Sequence, residues 1–589
     1  MEFNTKLIYR SFGGYFCQDD LQPWIAYLME KLDAGNVCLD IRAACQQDDR
    51  LDAKVLYNHP LVGGVDDIKP FIVFNERLYL HRFFQYEKTL AHQISKLCTN
   101  YDIHSRMQRL KAQKCLIQQI LFPPHTSLSS TDWQQVACLN AFLNNFSIIS
   151  GGPGTGKTTT VSKLLALLIM DNPDCKVSLC APTGKAAARM QESISNTMVS
   201  FKDLDIPEDI IRKISLLQAT TIHSLLGYIH GSIEFKHNSN NLLKTDILIV
   251  DECSMIDLSL FYKLLQAIDT SRTKVILLGD KNQLASVDAG SIFRDLCNET
   301  VKMNTFSSER FEFINDFIEP PQNKIEPDNI MANNNHPLFQ HLIELEKSFR
   351  FKDDDGIGIF SKAILYNYTE IIEQFLNKTN EQIEIHNISE FDHLLKEASQ
   401  QFTSNKNGFI GLNNIEGILQ KINHFAVLCA VKEGKYGVKS INNFIENLLF
   451  NPSAMFYKYQ LIMVSQNQPE NNVYNGDMGI VFEIDGNKDV YFAKSKSETF
   501  KLSPAQILSW QTAFAMTIHK SQGSEFDEVL IVLPDSKENQ LLTRELLYTA
   551  ITRAKQKVTI IGNAELIYKI AQQSVSRISG LAFHFCNSI

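Results

Sequence analysis

No stretch of about 18 consecutive apolar residues occurs in the 589-residue sequence, and its first residues carry no basic segment leading into an apolar run. Both absences argue against a membrane partner and predict a cytoplasmic protein. The twelve cysteines include no C-x-x-C pair, so they read as small buried hydrophobes in a reduced chain rather than as metal or redox ligands. Fifteen histidines likewise lack zinc spacing; His223, His230 and His237 recur every seven residues, but Gly227 and Gly231 interrupt any helix there. Positive charge is also in short supply. With 57 Lys and Arg against 66 Asp and Glu, the net charge of −9 gives no bulk attraction to a polyanion, so any nucleic-acid binding must use a local track.

What is present is an ordinary globular composition, 44% hydrophobic and 21% charged, over a length that suggests roughly three or four domains. The clearest feature is the run Gly151, Gly152, Pro153, Gly154, Thr155, Gly156, Lys157, Thr158, which fills every position of G-x-x-x-x-G-K-[ST]. The apolar run Phe146 to Ile149 precedes it. A helical pattern from Thr159 to Met170 follows, with Val161, Leu164, Leu165 and Leu168 on one face. Glycines let successive N–H groups turn toward a polyphosphate, and the helix N-terminus adds its positive end. Lys157 is then placed to reach the β- and γ-phosphates of ATP, and Thr158 to ligate Mg²⁺.

Downstream the pattern alternates strand and helix. Apolar runs Val177 to Ala181, Ile247 to Val250 and Val275 to Leu278 each end in polar loops, the signature of an α/β, doubly wound parallel sheet. Residues 1–105 mix helical patterns such as Trp24 to Leu32 with short strands, Phe71 to Phe74 and Arg77 to Leu80. Pro123-Pro124 marks a boundary after a helical stretch from Met107 to Leu121. Four prolines and five asparagines in 319–337 suggest an exposed linker or mobile insertion. Turn signals at Asn475-Gly476-Asp477 and Asp485-Gly486-Asn487 punctuate a β-type cluster between Tyr459 and Leu502, after which the pattern resumes with a strand from Val529 to Leu533, a helix from Leu541 to Ala554 and a strand from Val558 to Ile561. The expected division is 1–105 as an N-terminal domain, 106–337 as a first α/β lobe and 338–589 as a second, interrupted by an insertion at about 459–505.

The run Ile247 to Val250 leads straight into Asp251-Glu252. A carboxylate at the end of a buried strand can hold Mg²⁺, and a second can orient or deprotonate the attacking water; these roles fall to Asp251 and Glu252. Gln283, in the loop after Val275 to Leu278, is a candidate γ-phosphate sensor. Arg350 and Arg553 are candidates for the positive charge that phosphoryl transfer needs, although each read alone is an ordinary surface arginine. No second set of convergent carboxylates is visible, so nuclease chemistry is expected in a partner.

Taken in order, the phosphate loop, A-P-T-G-K-A-A-A-R-M (Ala181 to Met190), T-I-H-S-L-L-G (Thr221 to Gly227), V-D-E-C-S-M-I-D (Val250 to Asp257) and G-D-K-N-Q-L-A-S-V-D-A-G (Gly279 to Gly290) resemble the first motor half of a superfamily 1 helicase. S-F-R ending at Arg350, N-G-D-M-G (Asn475 to Gly479), T-I-H-K-S-Q-G-S-E-F (Thr517 to Phe526) and L-Y-T-A-I-T-R-A-K (Leu547 to Lys555) resemble the second. Within that superfamily the set is most similar to the RecD family, the α subunits of exodeoxyribonuclease V, down to R-L-Y-L-H-R-F-F at Arg77 to Phe84 and S-G-L-A at Ser579 to Ala582. The resemblance implies two RecA-like lobes, an N-terminal domain that docks on a partner subunit and an SH3-like insertion. It implies that Gln134 reads adenine, that Gly151 to Thr159 hold the phosphates, that Glu525 lies near the ribose and that Arg350 and Arg553 are arginine fingers. Pro182, Thr183, His223, Thr517, His519 and Ser521 would line a single-stranded DNA track. The implied activity is ATP-dependent 5′ to 3′ translocation and unwinding from duplex ends, beside RecB-like and RecC-like subunits. A free-standing RecD-like helicase and a nucleotide switch without motor activity are the alternatives; the second lobe argues against the switch.

Overall fold

The computed structural model describes residues 2–99, 102–123, 130–201, 206–229, 231–286, 288–298, 301–332, 334–351, 356–378, 380–452, 454–493, 499–535 and 542–586. Its centre is a six-stranded parallel sheet in the order Leu342–Leu345, Phe146–Gly151, Lys274–Gly279, Ile247–Val250, Val177–Ala181, Ala219–Thr221. The strands Phe146–Gly151, Ile247–Val250 and Lys274–Gly279 are buried along their whole length, as expected for strands covered on both faces. Because these three are neighbours, the loops leaving their C-terminal ends are side by side. That adjacency puts the phosphate loop, Asp251-Glu252 and Asp280-Gln283 around one point.

The second lobe is a five-stranded parallel sheet in the order Ile383–His386, Ala554–Ile561, Phe526–Val532, Phe425–Cys429, Ala515–Thr517. Register places Thr517 level with Cys429 and Val532, at the C-terminal edge, and Phe526 opposite Ala554 at the other edge. The segment 518–525 therefore runs back across the sheet from one edge to the other. The insertion is a five-stranded antiparallel sheet, Leu461–Val464 to Trp510–Thr512, with its own core around Ile462, Val464, Val481 and Val490. Asp485 and Gly486 both have positive φ (51° and 79°), the two-residue hairpin turn signalled by Asp-Gly.

Several sequence expectations are corrected. The first lobe does not end at 337: Leu342–Leu345 pairs in parallel with Phe146–Gly151 as an edge strand of the first sheet. The stretch 319–337 is anchored on that lobe, with Asn323 and Ile325 buried and Asn323 O accepting from Asp132 N at 2.9 Å. The helix expected to reach Ala554 is Arg544–Ile551, and Ala554 already begins the next strand; Leu541 lies outside the described residues. Residues 1–105 have a small core of their own around Trp24, Ile25 and Leu28 and a four-stranded sheet. They also share the first lobe's core, where Phe84 and Leu90 of the helix His81–Cys98 cluster with Leu248 and Phe261.

The chain's end returns to this N-terminal part. Glu87, fully buried, accepts from Ser579 Oγ at 2.7 Å, Gly580 N at 3.1 Å and Tyr79 OH at 3.1 Å. Residues Ser579 to Ala582 and Arg77 to Phe84, far apart in sequence, thus surround one carboxylate. Of the cysteines expected to be buried, Cys138, Cys180 and Cys253 are, whereas Cys115 and Cys586 are exposed. Among the described residues no helix is long and apolar enough to cross a membrane.

Candidate nucleotide site and DNA track

One cavity between the lobes is lined by Pro153 to Thr159, Asp251, Glu252 and Gln283 from the first lobe and by Arg350, Glu525 and Arg553. The loop's shape requires glycine at Gly154 and Gly156, where φ is +77° and +80° and where an added Cβ would overlap Arg350 and Gln134 respectively. Lys157 Nζ lies on the loop's own carbonyls, 2.6 Å from Gly151 O. Gln134 is beside the loop rather than in the cavity wall, its amide donating to Thr155 O at 2.9 Å.

Glu252 has a left-handed backbone, φ 52°, an uncommon conformation for a residue with a side chain and one that concentrates at functional sites. Its N–H donates to Asp251 Oδ1 at 2.8 Å. Burial, then the adjacent Glu252 charge, push the Asp251 carboxyl up to about 6. Thr158 and Asp251 both line this cavity, and their hydroxyl and carboxylate oxygens are of the kind that suits a hard divalent cation.

Gln283 is 5% exposed; its Nε2 donates to Asp280 Oδ2 at 3.2 Å, while its Oε1 is buried without a hydrogen-bond partner among the described residues. Such an orphaned acceptor costs about 1–3 kcal/mol, a cost that a bound water or hydroxyl donor would relieve. Asp280 also accepts from Tyr548 OH at 3.0 Å, and Thr549 Oγ1 accepts from Leu284 N at 3.1 Å, so helix Arg544–Ile551 of the second lobe is tied to the loop that carries Gln283.

Arg553 sits in the turn between that helix and Ala554–Ile561, donating to Thr549 O at 3.2 Å and Ser524 O at 3.1 Å. Arg350 is held by Phe349 N donating to Gly154 O at 2.8 Å and by ion pairing with Glu525. Burial, with Arg189 and Arg553 nearby, lowers the Arg350 guanidinium to about 10, which leaves it charged. Sequence reasoning missed Arg189: this residue of helix Gly184–Phe201 also lines the cavity and pairs with Glu525. Its place in A-P-T-G-K-A-A-A-R-M, one helical turn beyond Lys185, was the available signal.

Of the expected DNA residues, Pro182 and Thr183 leave the end of Val177–Ala181, with Thr183 Oγ1 accepting from Ala186 N at 3.2 Å. His223 is exposed on the short helix Ile222–Leu226, edge-on to Phe235 at 5.6 Å. Thr517 and His519 lie at the C-terminal edge of the second sheet. Ser521 is the correction: it is fully buried and its hydroxyl donates to Ile518 O at 2.7 Å, so it shapes the turn and offers nothing to a ligand. Cations near this edge were also missed. Burial, Arg577 and Lys432 all lower His519, which favours the neutral ring, and Lys520 is lowered by burial and by Lys432.

The one cluster of metal-type side chains found among the described residues, Cys17, Asp19 and His59, is a hydrogen-bonded knot. His59 Nδ1 accepts from Leu61 N at 3.2 Å, so Nε2 carries the proton toward Asp19 Oδ2 at 2.9 Å and has no lone pair for an ion.

Two P-loop-type lobes closing on one cavity, with arginines of the second facing the phosphate loop of the first, define a superfamily 1 helicase motor. The AAA domain model matches residues 134–289 and the UvrD-like helicase C-terminal domain model matches 512–561. The RecD subunit of the Haemophilus influenzae RecBCD enzyme is 31% identical, over 85% of this chain and 78% of its own. The RecD subunit from Mycolicibacterium smegmatis is 30% identical, over 95% of this chain and 92% of its own. An ATP-dependent RecD2 DNA helicase from Deinococcus radiodurans is 26% identical, over 77% of this chain but 54% of its own. The chain belongs to the RecD family of ATP-dependent DNA helicases.

Proposed function

We propose that the chain is the α subunit of a RecBCD-type helicase and nuclease, a motor that moves 5′ to 3′ on single-stranded DNA from duplex ends during break repair. The observation that carries this reading is the buried Oε1 of Gln283, without a partner among the described residues, in a cavity to which both lobes contribute cations. In it Lys157 and the loop N–H groups bind the β- and γ-phosphates, and Glu252 takes the proton of the attacking water. Gln283 orients that water, and Arg350 and Arg553 meet the charge that develops on the γ-phosphoryl group. Thr158 and Asp251 would hold Mg²⁺, which when bound neutralises phosphate charge.

Coupling to DNA follows from the segment 518–525, which links Thr517 and His519 at one edge of the second sheet to Glu525 at the other. Gln522 Nε2 donates to Leu284 O at 3.0 Å, beside Gln283, and Lys185 Nζ donates to Ser524 Oγ at 2.6 Å. Closing the lobes on nucleotide therefore moves the track-bearing segment with the arginines. Residues 1–105, which hold no phosphate or arginine-finger residue, are the docking part for the RecC-like subunit.

The test uses the assembled complex with Glu252→Gln in this chain and duplexes carrying a single 5′ or 3′ tail. The expected result is retained nucleotide binding, lost turnover by this subunit and loss of unwinding from 5′ tails only. Equal loss from both tails, or undiminished turnover, would contradict the assignment.

A further inference from the structure

At the N-terminal edge of the first sheet, opposite the phosphate loop, lies a second cavity of about 360 Å³. Its wall includes Ile103, Met107, Arg310, Phe339, Gln340 and His341, so it is built largely by the 301–341 stretch to which the motor chemistry gives no role. Arg310, on helix Ser308–Asn315, is 6% exposed. Its Nη1 donates to Asn140 Oδ1 at 2.8 Å and Asn144 Oδ1 at 3.2 Å. Both acceptors are neutral, and no ion pair to Arg310 occurs among the described residues. Among the described residues, the one carboxylate lining the cavity is that of Glu309, which is exposed. Burial lowers the guanidinium only to about 10, so it stays charged. A buried charge held by neutral acceptors and helped only by the exposed Glu309 carboxylate, with Arg106 opposing it, is expensive.

The neighbouring geometry presents a further donor. Gln340 is held in a left-handed conformation, φ 68°, with its backbone oxygen accepting from Asn140 Nδ2 at 2.8 Å and Asn144 Nδ2 at 2.9 Å. Its Oε1 accepts from both Ser307 N and Ser307 Oγ at 3.1 Å, which fixes the amide and leaves Nε2 as a donor. His341 is neutral, pushed down to about 4 by burial, with Nδ1–H donating to Phe146 O at 2.6 Å. The site thus offers one cation and fixed N–H donors beside the apolar faces of Ile103, Met107 and Phe339.

We propose that this cavity binds a small oxyanion-bearing molecule, whose carboxylate or phosphate oxygens are received by the Nε and Nη2 edge of Arg310 and by the Gln340 amide. Two parallel N–H groups of a guanidinium match two oxygens of either group, and the volume leaves room for an organic body against the apolar wall. The site is separate from the motor and stands whether or not the proposed subunit role holds.

The test is calorimetric titration of the full chain, its phosphate loop saturated with Mg²⁺ and a non-hydrolysable ATP analogue, with inorganic phosphate and in parallel with citrate. One further saturable site is expected; response to phosphate alone assigns a phosphate ester and response to citrate alone a carboxylate. Arg310→Lys, which keeps the charge but loses the two-pronged edge, should weaken it by about tenfold or more. Gln340→Glu keeps the acceptor for Ser307 and replaces the donor with a negative oxygen, so it should abolish binding while the fold persists. A crystal soaked in tungstate should show the anion at Arg310. No saturable site, unchanged affinity in both variants, or the anion located elsewhere would overturn the proposal.

Discussion

Glu525 of the second lobe is ion-paired with Arg189 of the first, and the same carboxylate pairs with Arg350. With Lys555 also 3.8 Å away, one anion serves three cations at the mouth of the phosphate cavity.

Removing that charge should therefore destabilise the protein in a way that nucleotide repairs. In Glu525→Gln the arginines repel one another, and the mostly buried pair with Arg350 (side chains 17% and 16% exposed) is lost, a cost on the order of 3 kcal/mol. The Arg189 arm is 38% exposed and adds less. The variant should melt lower than the parent without nucleotide, and saturating Mg-ADP should recover most of the difference because phosphates supply the missing countercharge. A deficit that nucleotide leaves untouched would mean that the cations serve the lobe contact alone.

Asp251 sets a pH dependence. Its carboxyl is pushed up to about 6 by burial and by Glu252, so below that pH it is protonated and cannot serve a divalent cation. The KM for Mg-ATP should be flat above about pH 7 and rise roughly tenfold per unit below 6. Asp251→Asn should be weak at every pH. A parent profile without the rise would remove Asp251 from the metal site.

Glu87 gives a second pH signature, in stability. Burial pushes it up from 4.5 to about 7, so between those values the folded protein holds a proton that the unfolded chain gives up. Stability from this group is greatest below about 4.5, declines as pH rises through the window, and its loss is complete above 7. Glu87→Gln should flatten that decline, on the order of a few kcal/mol, and melt at or above the parent at pH 8. Denaturant titrations at several pH values decide it, and parallel curves for the two proteins would refute the link.

The phosphate loop, the run into Asp251-Glu252 and the Asp485-Gly486 turn were legible in the sequence because local chemistry fixes them. Leu342–Leu345 was not: a four-residue parallel edge strand has no partner nearby in sequence, and its neighbour lies some two hundred residues earlier. The 319–337 stretch looked like a linker because it is tied down through backbone and amide groups, such as Asn315 to Ile325 at 2.8 Å, and not by an apolar period. Ser521 looked like a ligand residue in a polar motif; only its burial reveals a hydroxyl already spent. Arg189 stood in a quoted motif, but its partner Glu525 lies more than three hundred residues later, so only the folded lobes show the pairing that makes it a site residue.

The proposed DNA track is less neutral than its motif residues suggest. Lys432 and Lys520 flank His519, and Lys520 Nζ donates to Gln511 Oε1 at 3.0 Å. Replacing both lysines by Ala should reduce the salt dependence of single-strand affinity by about 0.7 for each phosphate that is no longer neutralised, equally for oligothymidylate and mixed sequence. An unchanged slope would place these cations off the strand.

The measurement that bears most directly on the motor is single-strand-stimulated ATP hydrolysis by this subunit, in the assembled complex, with Arg350→Lys beside the parent. Lysine keeps the charge but not the two-pronged grip, so nucleotide affinity should hold within a few-fold while turnover falls by about 10³ or more, the usual worth of an arginine supplied across a cleft. Turnover at the parent rate, or affinity falling in step with it, would contradict an ATPase completed by closure of the second lobe.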